Sequence, residues 1–236
     1  MTWRSPVLLA AILALAACQS GGPVSVPGIT TRTFDFGQGI AGWTIGQADY
    51  APATAPTDVV GEARLLPSPL TGTGFFLSGT NRSDDLFIYA KTRLVDLAPG
   101  TTYRVAVTVD FATDVPTGCV GVGGSPGDGV WIIVAAAPIE PTTVFDGRDY
   151  RVNLARGNQA VGGPQGGPVG TIANSVANCG MRRWESKRLA TPAAFGLTVT
   201  ADARGTAWLL VGMDSGFEAL SWIYLQRVLV QLTPTP

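Results

Sequence analysis

The chain has 236 residues, a formal net charge of −1 and no histidine. Charged residues make up 14% of it, against roughly 25% in a typical soluble domain, so many exposed positions must be uncharged. Without a basic field, binding to nucleic acid is not expected. The absence of histidine removes the usual base of serine hydrolases and a common ligand of structural zinc sites.

The N-terminal residues predict export. Arg4 precedes a short apolar run that ends in Leu15, Ala16, Ala17 and Cys18. A positive residue, an apolar stretch and small residues before a cleavage point are the parts of a secretory signal. The run has only about a dozen residues, whereas a membrane-spanning helix needs roughly 20. A cleaved signal is therefore favoured over a permanent transmembrane anchor.

The cysteine directly after Leu-Ala-Ala resembles the lipobox of bacterial lipoproteins. The resemblance implies that residues 1–17 are a helical signal peptide removed on maturation, and that Cys18 becomes the lipidated, palmitate-carrying N-terminus anchored in a membrane. Gln19, in place of Asp, implies sorting to the outer membrane. An ordinary signal that releases a soluble protein is the alternative. Residues 18–30 are rich in Gly, Ser and Pro and predict a tether, followed by one domain over residues 31–236.

Alternation of apolar and polar residues predicts that this domain is all-β. The cleanest example is residues 103–111, where Tyr103, Val105, Val107 and Val109 share one face. Gly and Pro recur between such segments at the spacing of a β-sandwich or barrel. The predicted strands cover residues 33–36, 43–47, 63–66, 75–78, 86–97, 103–111, 130–136, 150–154, 195–200, 207–213 and 222–232.

Two long glycine-rich stretches, residues 118–129 and 156–180, interrupt the strands, and each contains one cysteine. Once Cys18 is lipidated, Cys119 and Cys179 remain as an even number of thiols in an oxidising compartment, which predicts a disulfide. Two separate buried thiols are the alternative. The bond would bring the polar residues of both stretches into one neighbourhood.

The strand ends and one hairpin resemble the galactose-binding-type jelly roll of many carbohydrate-binding modules. The segments that carry this resemblance are residues 34–36, 42–43, 97–103 and 222–232. Residues 78–85, 123–128 and 214–218 resemble blocks in a family of uncharacterised bacterial exported lipoproteins. Together they imply a jelly-roll β-sandwich in the cell envelope that recognises a ligand and is not an enzyme.

A carbohydrate is the favoured ligand, held by polar loop side chains and an exposed ring. Trp184 lies in the most charged stretch of the chain, so we expect its ring to be the most exposed, although arginine stems could equally cover it. Trp43 and Trp222 lie in apolar strands and are expected to pack in the core. The residues predicted to bind the ligand are Asn81, Arg82, Asp84, Asp85, Asp128 and Trp184.

Two other functions stay open. A structural or assembly lipoprotein would bind an envelope protein through an exposed apolar patch. A histidine-free glycosidase would need two carboxylates facing each other across a cleft. The carboxylates available for that role are Asp84, Asp85, Asp128, Glu140, Asp214 and Glu218.

Two further motifs concern catalysis and metal binding. Residues 123–127 match the G-x-S-x-G pattern of hydrolases, but Pro126 lacks the backbone N–H that an oxyanion hole requires. Asp84 and Asp85 offer the hard oxygen ligands that suit calcium, although Gln226 stands where such modules often have an Asp. A calcium site at Asp84 and Asp85 is therefore a minor alternative to having no cofactor.

Overall fold

The computed structural model describes residues 1, 28–40 and 42–236. Nearly all of the regular structure in these residues is β, with three short 3₁₀ helices at Phe36–Gln38, Pro52–Thr54 and Ala193–Phe195. The strands are β1 Thr30–Asp35, β2 Trp43–Ala48, β3 Thr57–Leu65, β4 Thr73–Thr80, β5 Leu86–Leu94, β6 Thr102–Thr113, β7 Val130–Ala137, β8 Thr143–Phe145, β9 Tyr150–Val152, β10 Gly157–Asn158, β11 Val161–Gly162, β12 Gly166–Thr171, β13 Glu185–Ala190, β14 Thr198–Thr200, β15 Ala207–Ser215 and β16 Leu220–Pro234.

Two antiparallel sheets form a sandwich. The first sheet has the order β13-β6-β16-β4-β3, with β1 also pairing with β16 and β14 with β6. The second sheet has the order β12-β7-β15-β5-β2. The chain crosses between the sheets eight times, at β1–β2, β2–β3, β4–β5, β5–β6, β6–β7, β12–β13, β14–β15 and β15–β16. This is a jelly-roll β-sandwich, as the sequence predicts.

The inner faces of both sheets form the main core. On β6 the predicted alternation is confirmed, since Tyr103, Val105, Val107, Val109 and Phe111 are at most 3% exposed. They pack against the inward side chains of the second sheet within one apolar cluster. Burial of large apolar side chains of this kind is the dominant stabilising contribution in such a domain, at roughly 1.5–3 kcal/mol for each.

A second, smaller core lies on the outer face of the second sheet. Phe87, Tyr89, Ile133 and Leu210 are buried there, with Leu154 from the segment between β7 and β12 packed among them. This covering segment includes the hairpins β8–β9 and β10–β11. It explains why β5 is buried along both faces. The outer face of the first sheet has no comparable apolar layer among the residues described, so it is the sheet face open to a ligand.

Most of the predicted strands are observed, and the differences lie at the loops. The prediction for residues 195–200 is partly wrong, because residues 193–195 form a 3₁₀ helix and only Thr198–Thr200 is a strand. The stretch 156–180 was expected to be irregular, but it contains β10, β11 and β12. None of the helices described has the length and apolar character needed to cross a membrane.

Candidate functional site

Three aromatic side chains form a continuous row on the open outer face of the first sheet. Phe76 on β4 is directly opposite Tyr224 on β16, and their ring centroids are 4.9 Å apart. Trp184, just before β13, contacts Tyr224 with a centroid distance of 5.3 Å. All three side chains are half-buried. We call Phe76, Tyr224 and Trp184 the aromatic row.

The period-2 geometry of β16 produces this arrangement. Ile223 and Leu225 point into the core and are fully buried, so Trp222 and Tyr224 point to the opposite face. Trp222 is half-buried on this outer face. The prediction that Trp222 packs in the core is therefore wrong, whereas Trp43 is 6% exposed and does belong to the core.

The rings of the aromatic row are not coplanar. The planes of Phe76 and Tyr224 meet at 56°, and those of Tyr224 and Trp184 meet at 83°. Rings that turn relative to one another present a stepped surface. Such a surface follows the contour of one flexible ligand chain better than it matches a flat solid.

Arginine side chains stack on two rings of this face. The Arg64 guanidinium lies 3.9 Å from the centroid of the Phe76 ring, at one end of the row, and pairs with Glu62. Arg182 lies 4.7 Å from the centroid of Trp222, which neighbours Tyr224 on β16 and is not a member of the row. Stacking of a guanidinium on an aromatic face holds its donors in place. The expected arginine cover is thus found on Trp222 and Phe76, while Trp184 contacts a tyrosine.

Asp114 is the buried partner of Arg182. Its Oδ2 atom is 3.2 Å from the arginine Nε, and its side chain is 9% exposed. Burial raises the pKa of Asp114, and the positive charge of Arg182 offsets part of this rise. The Oδ1 atom of Asp114 is buried and has no hydrogen-bond partner among the described atoms. A buried oxygen of this kind is usually satisfied by an ordered water.

A pocket of about 310 Å³ opens beside Trp222. The Cys119–Cys179 disulfide forms one of its walls, so the predicted bond is present, with a Cα–Cα distance of 5.6 Å. The bond joins the loop after β6 to the loop before β13. The lining consists of Val115, Pro116, Cys119, Pro126, Cys179, Arg182, Phe217, Ala219, Leu220, Ser221 and Trp222.

A cluster of carboxylates lies on the other side of the sandwich, where the covering segment meets the second sheet. Oxygen atoms of Asp49, Asp85 and Asp214 lie within 4.8 Å of one another. Arg156 from the covering segment is 2% exposed, and it donates hydrogen bonds to both Asp49 and Asp214. Its guanidinium also stacks on Phe87, 3.7 Å from the ring centroid. We call these three carboxylates the acidic triad.

The acidic triad shares a proton more readily than it holds a metal ion. Burial, followed by the negative charges of Asp214 and Asp49, raises the pKa of Asp85 to about 7. The Oδ1 atoms of Asp85 and Asp214 both lack a hydrogen-bond partner among the described atoms, and a proton on Asp85 would satisfy both. Calcium prefers six to eight oxygen ligands, but here Arg156 already occupies the cluster with its positive charge. The triad therefore fits calcium poorly, and Asp84 is not part of it.

The raised pKa of Asp85 predicts a pH-dependent stability. The folded protein keeps this proton between pH 4 and 7 while the unfolded chain loses it, so stability falls as the pH rises across that range. The asparagine of Asp85→Asn cannot titrate. We therefore expect the free energy of unfolding of this variant, relative to that of the parent, to rise by on the order of 2 kcal/mol between pH 4 and pH 7.5. This is about half of the full conversion at 1.36 kcal/mol per pKa unit, because water screens part of the effect.

Urea unfolding of Asp85→Asn and the parent at several pH values measures this difference. Asp84→Asn, at the neighbouring exposed carboxylate outside the acidic triad, is the matched control and should not reproduce the gain of Asp85→Asn. Adding calcium should leave the parent's midpoint unchanged. A calcium-dependent increase in stability, or a constant difference between Asp85→Asn and the parent, would contradict the shared proton.

The six residues predicted to bind the ligand do not form one face. Trp184 belongs to the aromatic row, whereas Asp85 belongs to the acidic triad. Asn81 is 2% exposed and donates to the backbone of Ser215. Arg82 donates to the carbonyl of Ala55, and the backbone carbonyl of Asp84 accepts from Gln159.

Asp128 has an internal role that the sequence did not indicate. Its carboxylate accepts hydrogen bonds from the Thr117 hydroxyl, from the Gly118 backbone N–H and from the Ser125 hydroxyl. These bonds close the loop that carries Cys119. Asp128 therefore shapes the pocket wall, and its oxygens are already in use.

The sequence reasoning missed Phe76, Tyr224, Trp222 and Arg182. The alternation of β16 was visible, and it placed Trp222 and Tyr224 on one face, but nothing local showed which face was the outer one. Cys18 lies outside the described residues, so the structure does not bear on its lipidation.

Comparisons with known proteins identify similar folds only. No family model matches the sequence, and no curated protein matches it. Among solved structures, the carbohydrate-binding module TmCBM27, described as recognising mannan, is 11% identical over 89% of this chain and 100% of that chain, with a TM-score of 0.41. A family 11 carbohydrate-binding module from Clostridium thermocellum is 11% identical over 85% and 94% of the two chains, with a TM-score of 0.38.

The K1 adhesin domain of Lys-gingipain from Porphyromonas gingivalis W83 is 12% identical over 88% of this chain and 99% of that chain, with a TM-score of 0.40. Identities and TM-scores this low leave the ligand to be inferred from the side chains of this chain.

Proposed function

We propose that the protein is a non-catalytic glycan-binding β-sandwich of the cell envelope. The observation that carries this proposal is the aromatic row on the open face of the first sheet, with Arg64 and Glu62 at its Phe76 end and Arg182 on the neighbouring Trp222. The C–H faces of sugar rings stack on aromatic side chains, and sugar hydroxyls bond to exposed charged groups such as Arg64, Glu62 and Arg182. A few convergent polar groups around an apolar surface are typical of a ligand site.

The geometry of the row favours a single soluble glycan chain. Its rings meet at 56° and 83°, so successive sugars must turn along the chain to contact each of them. A flat crystalline polysaccharide would contact only one ring at a time. We therefore expect soluble oligosaccharides to bind better than crystalline cellulose or chitin.

The acidic triad does not supply the pair of carboxylates that glycoside hydrolysis needs. A glycosidase needs two carboxyl groups that contact the substrate. In the acidic triad, Asp214 is 0% exposed and Asp49 is 8% exposed, and Arg156 bonds to both. Asp85 is the most accessible member, with 20% of its side chain exposed. One accessible carboxylate cannot supply both roles, so the raised pKa of Asp85 is explained by burial in an ion network.

The aromatic row can be tested directly by substitution. We expect Trp184→Ala and Tyr224→Ala each to weaken glycan binding roughly 30-fold, the effect of removing a central aromatic contact worth about 2 kcal/mol. A glycan array probed with the purified domain identifies ligands, and titration calorimetry then measures the variants.

Trp208→Ala is the matched control, because Trp208 is a half-buried tryptophan on the second sheet. It should leave binding unchanged. Thermal unfolding of each variant separates lost contacts from lost structure. An array without any bound glycan, or equal losses for Trp184→Ala and Trp208→Ala, would contradict the proposal.

The proposed location depends on Cys18. We propose that a lipid on Cys18 anchors the domain in the outer membrane, supported by the lipobox-like residues 15–18 and by Gln19. Stable anchoring takes more than one acyl chain. Cells expressing the full chain and fed labelled palmitate should incorporate label into the parent and none into Cys18→Ala. Equal labelling of both forms, or an unlabelled parent, would contradict the anchor.

Binding to an envelope protein is the second candidate function, and one observation favours it. Four large apolar side chains on segments around the pocket are well exposed: Val120 at 97%, Val122 at 65%, Met181 at 53% and Leu220 at 40%. Exposed apolar patches often mark protein contacts. Co-purification of one envelope protein, lost on Val120→Asp with Val122→Asp and retained by Trp184→Ala, would favour this function over glycan binding.

A further inference from the structure

The pocket beside the disulfide is continuous with the outer face of the first sheet. Trp222 and Arg182, which stack on each other on that face, also line the pocket. Trp222 occupies the next outward position on β16 from Tyr224, so the mouth of the pocket opens to one side of a chain lying on the aromatic row. A group attached to such a chain could enter the pocket without a change in the backbone.

The pocket lining does not suit a sugar ring. Apart from the Trp222 indole, only Arg182 and Ser221 among the lining residues carry polar side chains. Arg182 is paired with Asp114. Ser221 is 5% exposed, and its hydroxyl lies 3.5 Å from the hydroxyl of Ser215. Sugar hydroxyls buried there would lose their hydrogen bonds to water without replacement, which is unfavourable.

The size of the pocket limits what can fill it. Its volume of about 310 Å³ is at the lower end of the range for ligand pockets. It corresponds to about ten water molecules at ~30 Å³ each. A short acyl chain or a single aromatic ring fits this space, and burial of its surface against Phe217, the prolines and the disulfide is favourable.

On the basis of the glycan-binding function proposed above, we infer that the ligand is a glycan with an apolar substituent. The sugar rings lie on the aromatic row, and a short acyl or aryl group on the chain fills the pocket. The pocket thus favours substituted chains over unsubstituted chains of the same sugars.

The inference can be tested with three sets of matched glycosides. Methyl, octyl and 4-nitrophenyl glycosides of glucose, galactose and mannose differ only in the group attached to the sugar. Dissociation constants are measured by protein-observed NMR, with the octyl compounds kept below their micelle concentration. For at least one sugar we expect the octyl or 4-nitrophenyl form to bind at least about tenfold more tightly than the methyl form.

Two variants assign this preference to the pocket. Ala219→Leu fills the pocket. It should reduce the ratio of the affinity for the octyl or 4-nitrophenyl form to that for the methyl form to about 1, while the affinity for the methyl glycoside is retained. Trp184→Ala should weaken all forms by a similar factor and leave the ratio unchanged. Ala203→Leu places the same larger side chain at an exposed position on another loop, and it should change neither quantity.

The outcomes separate the two proposals. If the glycosides bind, Trp184→Ala weakens them and the ratio is near 1, the substituent inference is wrong and the glycan-binding function stands. If Ala219→Leu leaves the preference unchanged, the substituent is bound elsewhere and the inference is also wrong. If octyl compounds alone bind and Trp184→Ala has no effect, both proposals are wrong. Failure of every glycoside to bind overturns the inference.

Discussion

Replacing Arg156 with methionine should lower the free energy of unfolding by about 3–5 kcal/mol at pH 7, the usual cost of breaking a buried ion pair. Arg156 is 2% exposed, and its two partners, Asp49 and Asp214, are at most 8% exposed. Methionine would keep part of the contact with Phe87 but would leave two buried carboxylates without their positive partner. The covering segment would then lose its charged link to the second sheet.

Urea unfolding of Arg156→Met beside Arg151→Met measures this effect. Arg151 contacts Asp49 and Asp149, but 45% of its side chain is exposed, so its replacement should cost at most about 1 kcal/mol. Burial raises the pKa of Asp49 and of Asp85, so the loss in Arg156→Met should shrink when the pH is lowered from 7 to 5. Equal losses for the two arginines, or a loss that grows on acidification, would contradict the buried network.

Removing the disulfide is expected to cost a similar amount. The bond joins residues that are 60 positions apart, and a loop of that size is worth about 4 kcal/mol in the chain-entropy model. Because both cysteines line the pocket, the double variant Cys119→Ala, Cys179→Ala should also lose the preference for apolar substituents. Phe76 and Tyr224 lie on β4 and β16, outside the loops joined by the bond, whereas Trp184 follows Cys179 in one of these loops. The binding of methyl glycosides should therefore be weakened but not abolished.

Reduction of the disulfide in the parent protein provides the control for this prediction. Dithiothreitol should destabilise the parent toward the value of the double variant and should leave the double variant unchanged. Equilibrium unfolding in guanidinium chloride, with and without dithiothreitol, gives all four values. A parent that is equally stable in both conditions would show that the bond contributes little to the folded state.

The strands could be predicted where their patterns are local. Residues 103–111 alternate between apolar and polar side chains, and this is enough to identify β6 and its buried face. β13, in contrast, contains Lys187 and Arg188 and no apolar repeat. It forms the edge strand of the first sheet because it pairs with β6. This is a long-range contact that the local pattern does not show.

The site was predicted only in part, for the same reason. Trp184 was identified because it is surrounded by charged residues, which indicates exposure. Tyr224 and Phe76 lie in apolar strands, and they meet only because β16 and β4 are paired in one register. The acidic triad likewise joins residues from three distant parts of the chain, and the sequence offered Asp85 and Asp214 only as members of a larger set of carboxylates.

The sequence by itself predicted the all-β class, the inward residues of the long strands and the pairing of the two cysteines, because each depends on composition, spacing or alternation along the chain, and the export signal stays a prediction. The tertiary structure alone decided which sheet face is open, which aromatic residues form the row and where the pocket lies. These depend on the covering segment between β7 and β12, which buries the outer face of the second sheet and leaves that of the first sheet exposed.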